Sequence, residues 1–341
     1  MTVKKADELE EMAAAVLVAA GASTDNAAIV ADHLVSANLA GVDTHGVRHL
    51  PGYVNDLAAG FIDGKAGPET LRSSSTSLLV TGHWTFGHVA ARYATEEAIV
   101  QAREIGVSIA GVVQAHHIGR LGYYTEMATA NGLVAQVWAG GYSEESPVAV
   151  PFGGRKRLLH TNPVSMGFPS EPGTPVMFDF ATTAMSGVKI EDARRLGKSL
   201  PPGSIVDRAG NYSTNPQDFF DGGAHATFGG HKGYALNVAA EYYGRVLTGS
   251  NAYADPKRGG PIMRNQGVTI LLVRDDVFTS SEEFETRAVE MAKRTRAIPP
   301  APGFESVQVP GDPESRTRRK RMAEGIPIED EIWEQLESLP R

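Results

Sequence analysis

Apolar residues fall at helical spacing through the first sixty positions of the chain. Residues 6–20 read as one helix. Ser23, Thr24 and Asp25 supply caps for a second, whose apolar side runs through Ala28, Val30, Leu34, Ala37 and Leu39. Leu50, Val54, Leu57 and Phe61 continue the spacing, with Pro51 welcome in the first turn of a third helix. Beyond the polar residues 72–77 the pattern changes to short apolar runs. Residues 78–80, 107–113, 133–138, 176–180 and 268–273 read as strands, and 88–104, 122–131, 234–247 and 280–296 as helices. Residues 197–223, rich in Pro, Gly, Asp and Asn, read as an extended surface loop, and 329–339 as a short closing helix. The alternation predicts an α/β core over residues 76–279, with an N-terminal helical lobe over 1–75 on which 280–341 packs.

Composition narrows the possibilities. A chain of 341 residues with 42% hydrophobic and 21% charged residues has the balance of a globular protein with a large core. The net charge of −8 argues against a general nucleic-acid or anionic-membrane binder. The absence of cysteine excludes disulfides, thiolate metal sites and a cysteine nucleophile, and suits a reducing, cytoplasmic setting. Acidic residues Asp7, Glu8, Glu10 and Glu11 interrupt what would otherwise imitate a signal peptide, and no run approaches the roughly 18 apolar residues of a membrane span. The basic residues Arg316, Arg318, Arg319, Lys320 and Arg321 read as a solvated helical face.

The candidate chemistry centres on residues 41–53, where His45, Arg48 and Tyr53 follow one another closely between glycines. In a helical turn His45 and Arg48 share a face. A proton donor beside a guanidinium suits reduction of a carbonyl next to a carboxylate, because Arg holds the carboxylate and His transfers a proton near neutrality. Residues 114–124, with His116, His117 and Gly119, follow a strand and open a helix, a place for a phosphate or another anion. Adjacent histidines point apart, so no metal site is expected. Thr161 and Asn162 precede a proline at a turn and offer hydrogen bonds to a substrate or an amide. Asp179 ends an apolar strand and needs a partner, for which a histidine is one choice and capping of the next segment another. Gly229 to Tyr234, with His231 and Lys232, form a glycine-rich anion loop without the Walker A spacing. Neither G-x-G-x-x-G nor G-x-S-x-G occurs.

Taken in order, residues 41–46, 117–119, 161–163, 179–182, 189–190, 230–234, 310–312 and 325–326 resemble the malate/L-lactate dehydrogenase family of NAD(P)-dependent oxidoreductases. The resemblance implies a non-Rossmann, mixed-sheet α/β fold and a homodimer. It implies NAD or NADP as cofactor and a small carboxylate as substrate. The implied reaction is hydride transfer between the cofactor and a 2-oxo acid/2-hydroxy acid pair, or alternatively reduction of a cyclic imine carboxylate. A catalytically silent anion-binding homologue is the third reading. By the same resemblance His45, supported by Asp179, is the acid/base, or His117 takes that role. Arg48, Thr44, Tyr53, Thr161 and Asn162 would meet the substrate. His117, Gly119, Asp179, Phe180, Ala181, Thr182, His231, Lys232 and Gly311 would meet the cofactor. The chain departs from the family pattern at Thr44 (usually Ser), His160 (usually Gly) and Val188 (usually Gly).

Overall fold

The computed structural model describes residues 1–141, 146–171 and 173–341. Strand β1 (Thr2–Lys4) opens the chain. Helices α1 (Ala6–Ala19) and α2 (Thr24–Leu39), two 3-10 turns (Asp43–His45 and Val47–His49) and α3 (Leu50–Ala58) complete the N-terminal region. Then come β2 (Glu69–Ser73), β3 (Ser77–Thr81), α4 (Gly87–Ile105), β4 (Val107–Val113), α5 (Gly122–Thr129) and β5 (Leu133–Gly140). The middle of the chain holds β6 (Pro163–Glu171), β7 (Thr174–Ala181), α6 (Gly187–Arg195), β8 (Ile205–Val206), β9 (Tyr212–Ser213), α7 (Gln217–Phe220) and β10 (Ala224–His225). Helix α8 (His231–Glu241) runs into a π-helical turn (Tyr242–Leu247), followed by α9 (Gly260–Met263) and β11 (Gly267–Arg274). The chain closes with α10 (Ser281–Arg296), α11 (Asp312–Glu324), β12 (Ile326–Ile328) and α12 (Asp330–Glu337).

The core is an open seven-stranded mixed sheet in the order β2-β3-β4-β11-β5-β6-β7. Only β3 and β4 pair in parallel, and the remaining neighbours are antiparallel, so the sheet is neither doubly wound nor a barrel. Helices α4 and α5 lie on one face. Val268, Ile270 and Leu272 of β11 join their apolar cluster, while Thr269 between them donates to Tyr243 O on the opposite face. A second cluster belongs to the N-terminal helices, and Ile326, Ile328 and Leu336 from the end of the chain are buried in it. Strand β12 pairs with β1 beside that cluster. The mixed α/β fold, with an N-terminal helical region completed by the C-terminal segment, is therefore the fold the chain adopts.

Seven strands depart from the expected pattern, three of them (β8, β9 and β10) in a small, partly buried sheet within and beside the stretch read as a surface loop. β2 alternates weakly because it is a mostly exposed edge, and it belongs to the sheet rather than to the helical lobe. β6 starts at Pro163, which a strand's first position tolerates, so the Asn-Pro turn signal masked a strand paired on both sides. The short β1 and β12 carry no periodicity to read. Helix α10 packs on β6. The basic cluster on α11 is not simply solvated. Arg318 pairs with Glu126 at 2.8 Å, and Arg321 grips Asp43 through both Nη atoms at 2.6 and 2.9 Å. No helix among the described residues is long and apolar enough to cross a membrane.

Candidate active site

Residues 41–53 do not form a continuous helical turn. Gly46 is extended (φ −89°, ψ −157°) between the two 3-10 turns. A Cβ on it would lie 2.2 Å from Asn38 Oδ1, the oxygen that accepts Val47 N–H at 2.9 Å. Asn38 also donates to Asp43 Oδ1 at 2.6 Å, so α2 and α11 together hold the first turn through Asp43. The extended glycine breaks the three-residue register. His45 lines a cleft of about 410 Å³ together with Thr44, whereas Arg48 lines a separate pocket of about 70 Å³ with Asp43, Arg321 and Ile328. The expectation that His45 and Arg48 share one face is corrected on that ground.

Six of the ten histidines gather at the cleft and behind it. His45 and His117 stack with ring centroids 5.8 Å apart, and both line the cleft. His49 lies 5.2 Å from His117 and bonds Thr44 O at 2.7 Å. His88, His33 and His116 pack deeper, and His116 Nε2 sits 3.4 Å from Asp56. Tyr53, buried behind His117, places its hydroxyl 2.8 Å from Nδ1 and 3.5 Å from His88 Nε2. Tyr53 therefore reaches the cleft through His117 and does not line it. The phenol and Nδ1 share one hydrogen bond, whose direction follows the tautomer of His117. Burial lowers these histidines. It brings His45 down to about 4, helped by the positive charge of Arg120, and His49 and His116 to about 4 as well. His117 is held well below its ordinary value by burial and by its neighbouring imidazoles. At neutral pH the rings are uncharged.

The opposite wall comes from β7 and the turn before α6. Asp179, Phe180, Ala181, Thr183, Ala184, Met185, Ser186 and Lys189 line it, joined by His160 and Thr161. Asp179 does not pair with a histidine. Its Oδ2 accepts Gly122 N–H at 2.6 Å and lies 3.9 Å from Arg120 Nε, because the start of α5 presents its free N–H to β7. Burial raises its pKa against the pull of Arg120 and that N–H. His160, held neutral at about 3 by burial, turns Nδ1 toward Thr161 Oγ1 at 3.2 Å. Gly119 lines the cleft at φ +69°, and a Cβ there would strike His33 and His88.

Other expected contacts are placed elsewhere. Asn162 is fully buried and braces α8, donating to Asn237 Oδ1 at 2.9 Å. Thr182 ties back to Thr161 O and Asn162 O at 3.0 and 2.9 Å. His231 and Lys232 are exposed at the start of α8, outside the residues that line the cleft. Gly311 caps α11 at φ +99° against Pro175 O and Met177. The residues the sequence reading gave no role are Ser186 and Lys189 in the wall, Arg120 before α5, and His33, His49 and His88 behind the cleft; Lys189 entered only as part of the family resemblance. Arg120 carried a signal, since a lone cation between Ile118, Leu121 and Tyr124 must be buried with a partner.

The cleft fits a dinucleotide. Ser186 caps α6 by accepting Lys189 N–H at 3.4 Å, so a helix N-terminus and a lysine stand at one end, where a phosphate is favoured. Phe180, Ala181 and Met185 give an apolar wall against which a planar ring packs.

Comparison with known proteins agrees. The family model described as malate/L-lactate dehydrogenase matches residues 4–337. L-sulfolactate dehydrogenase of Methanothermobacter thermautotrophicus is 32% identical over 96% of this chain and 93% of its own. Among solved structures, sulfolactate dehydrogenase of Methanocaldococcus jannaschii superposes with a TM-score of 0.88 at 28% identity, covering 99% of this chain and 96% of the other. Δ1-piperideine-2-carboxylate reductase of Pseudomonas syringae does so with a TM-score of 0.86 at 30% identity, covering 99% and 100%. A cleft with paired imidazoles and a phosphate-ready end, on a sheet shared from end to end with these enzymes, makes the chain a member of the malate/L-lactate dehydrogenase family of NAD(P)-dependent oxidoreductases.

Proposed function

We propose that the cleft interconverts a small 2-oxo acid and its 2-hydroxy acid. The observation that carries this reading is the stacked pair His45 and His117 facing the Phe180–Lys189 wall across one cleft. Phe180, Ala181 and Met185 would hold the ring of a dinucleotide and Ser186 and Lys189 a phosphate, and the cofactor would supply or accept the hydride at C2. His45 moves the proton at the substrate oxygen. As a neutral imidazole it takes the hydroxyl proton when the hydroxy acid is oxidised. In the reducing direction it must be protonated, and the negative charge of a bound carboxylate raises its pKa toward neutrality. In this reading Tyr53 donates to His117 Nδ1, and His117 donates from Nε2 to the same oxygen. Replacing His45 with Ala is expected to lower turnover at least about a hundredfold and to leave NADH or NADPH binding near that of the wild type. If turnover is unchanged, the proton-transfer role moves to His117.

The likeness to Δ1-piperideine-2-carboxylate reductase supports a second substrate class, a cyclic imine carboxylate, whose C=N needs less acid assistance. Competition between pyruvate and a Δ1-pyrroline carboxylate, read as nicotinamide absorbance, separates the two. The homodimer belongs to this reading too. Tyr242, Val246 and Leu247 leave about three fifths of their surface exposed on the sheet face opposite α4. Sedimentation of a 36.3 kDa monomer would refute the dimer.

A further inference from the structure

Among the residues that line the cleft, His160 stands where the family pattern has a glycine, so an imidazole occupies space that the pattern leaves open. It is partly exposed and so within reach of a ligand. The proton transfer assigned to His45 and His117 makes no use of it. The backbone that carries it is pinned on both sides. Leu159 and Ala149 exchange N–H···O bonds at 3.1 and 2.8 Å, and Asn237 Nδ2 donates to His160 O at 2.9 Å. Thr161 O accepts both the N–H and the hydroxyl of Thr182, at 2.9 and 3.0 Å, and Asn162 donates to Asn237 Oδ1 at 2.9 Å. The ring itself is steadied by Thr161 Oγ1, 3.2 Å from Nδ1. A ring on so firm a backbone does not withdraw for a larger ligand without cost, because close-packed surroundings carry strain rather than yield to it.

The strand register gives the ring its place. Pro163 of β6 pairs with Ala181 of β7, and the Thr161–Thr182 bonds continue that pairing past the strand ends. His160 therefore stands beside the Ala181–Thr183 end of the wall. Ala181 belongs to the apolar surface that suits a planar ring, and His45 faces that surface across the cleft. A substrate whose C2 lies between the ring and His45 has the His160 imidazole at its edge. Burial keeps that imidazole uncharged, so it neither attracts nor repels a carboxylate, and its effect on a ligand is to take up room. We propose that His160 sets the size limit of the substrate, filling the space into which the carbon chain beyond C3 of a longer 2-oxo acid would extend. The enzyme is thereby restricted to the shortest 2-oxo acids, of pyruvate size. This assignment rests on the 2-oxo acid reading of the cleft. Discrimination of this kind is worth about 10–200-fold for one methylene.

The test reads size in two ways on the full-length protein with NADH or NADPH. Oxamate and its N-methyl and N-propyl derivatives, unreactive mimics of 2-oxo acids of rising length, are titrated calorimetrically. Pyruvate, 2-oxobutanoate and 2-oxohexanoate are compared by kcat/KM. The wild type is expected to favour oxamate over N-propyl oxamate, and pyruvate over 2-oxohexanoate, by at least about tenfold. His160→Gly should move both ratios toward the longer member by roughly tenfold or more, with NADH or NADPH binding retained. His160→Ala should move them the same way by less, and it serves if the glycine variant does not fold. His160→Phe keeps the bulk without the ring nitrogens and should keep the wild-type order. A wild type without size preference overturns the assignment, as do wild-type ratios in His160→Gly or His160→Ala. A phenylalanine variant as permissive as the glycine one also overturns it, since the ring would then act through its hydrogen bonds. Unchanged ratios with weakened NADH and NADPH binding would place the ring against the cofactor instead. If the wild type sorts the oxamates by size but reduces no 2-oxo acid, the reading of the reaction fails while the size limit stands. If it neither binds an oxamate nor reduces a 2-oxo acid, both fail.

Discussion

His45 and Arg48 show how a single residue decides what sequence spacing means. Three positions apart they share a face only if the chain between them is helical, and Gly46 makes it extended. The glycine is required by contact, since Asn38 fills the space a side chain would take. Gly46→Ala should therefore displace Asn38, release Val47 N–H and Asp43, and cost about 1–3 kcal/mol in urea unfolding. Turnover should fall with it, because His45 rides on the displaced turn; an alanine variant with native stability and activity would refute this account. Tyr53 is a second case. Its position in the sequence suggested substrate contact, but its hydroxyl is committed to His117. Tyr53→Phe should leave stability within about 1 kcal/mol and reduce turnover by roughly tenfold, through loss of the hydrogen bond that orients His117. An unchanged pH–rate profile and turnover would detach Tyr53 from the chemistry. His45, His117, Gly119, Thr161, Asp179, Phe180 and Ala181 all reach one cleft from distant positions in the sequence. Asn162 and Thr182 look the same in the sequence but face inward: Asn162 takes a left-handed conformation (φ +40°) just before β6, and Thr182, just past β7, donates back to Thr161 O and Asn162 O.

Among elements, α11 departs furthest from its appearance. Five basic residues in six positions suggest a solvated surface, and no periodicity in the sequence distinguishes Arg318 and Arg321 from their neighbours. Only the tertiary arrangement does so, by setting α11 against α2, where Asp43 and Glu126 wait. The bidentate Arg321–Asp43 pair reaches across 278 positions of sequence to hold the turn that carries His45. Arg321→Met should therefore act on the site from outside it. We expect a loss of about 1–3 kcal/mol and a several-fold fall in kcat/KM, whereas Lys320→Met, one residue away on an exposed and weakly paired side chain, should do neither. Equal effects from the two would show that α11 contributes only general charge. Strand β12 continues the same function with apolar contacts. Ile326 is fully buried in the N-terminal cluster, so Ile326→Ala should cost about 2–5 kcal/mol and lower the thermal midpoint of the whole chain in a single transition.

At the scale of the molecule, the α/β alternation was legible because buried strands and amphipathic helices impose their own periods; the mixed order of the sheet was not, because pairing of β11 between β4 and β5 is decided by long-range burial. Nor does any local pattern announce that histidines from α2, the 3-10 turns, α4 and the loop before α5 converge, and that convergence governs how the whole protein responds to acid. Burial lowers the pKa of eight of the ten histidines, five of them to about 3 or 4. In the unfolded chain each titrates near about 6.5. Between those values the unfolded state binds protons that the folded state refuses, so stability rises with pH across that window. It is complete above about pH 6.5 and is lost as the pH falls toward 4. Two effects oppose this. The carboxyls of Asp179, which is buried, Asp56, which is half-buried, and Glu10 are raised, which favours the fold on acidification. The net charge of −8 also shrinks as the pH approaches the pI near 5.7, relieving repulsion. Eight histidines outnumber three carboxyls, so the thermal midpoint should drop steeply from pH 6.5 to 4.5 even while net charge passes through zero. Calorimetry in buffers of different ionisation enthalpy should record uptake of more than one proton on unfolding in that range. A midpoint that stays level down to pH 5 would mean that the folded protein protonates its histidine cluster freely, and the neutral imidazole assigned to His45 would go with it.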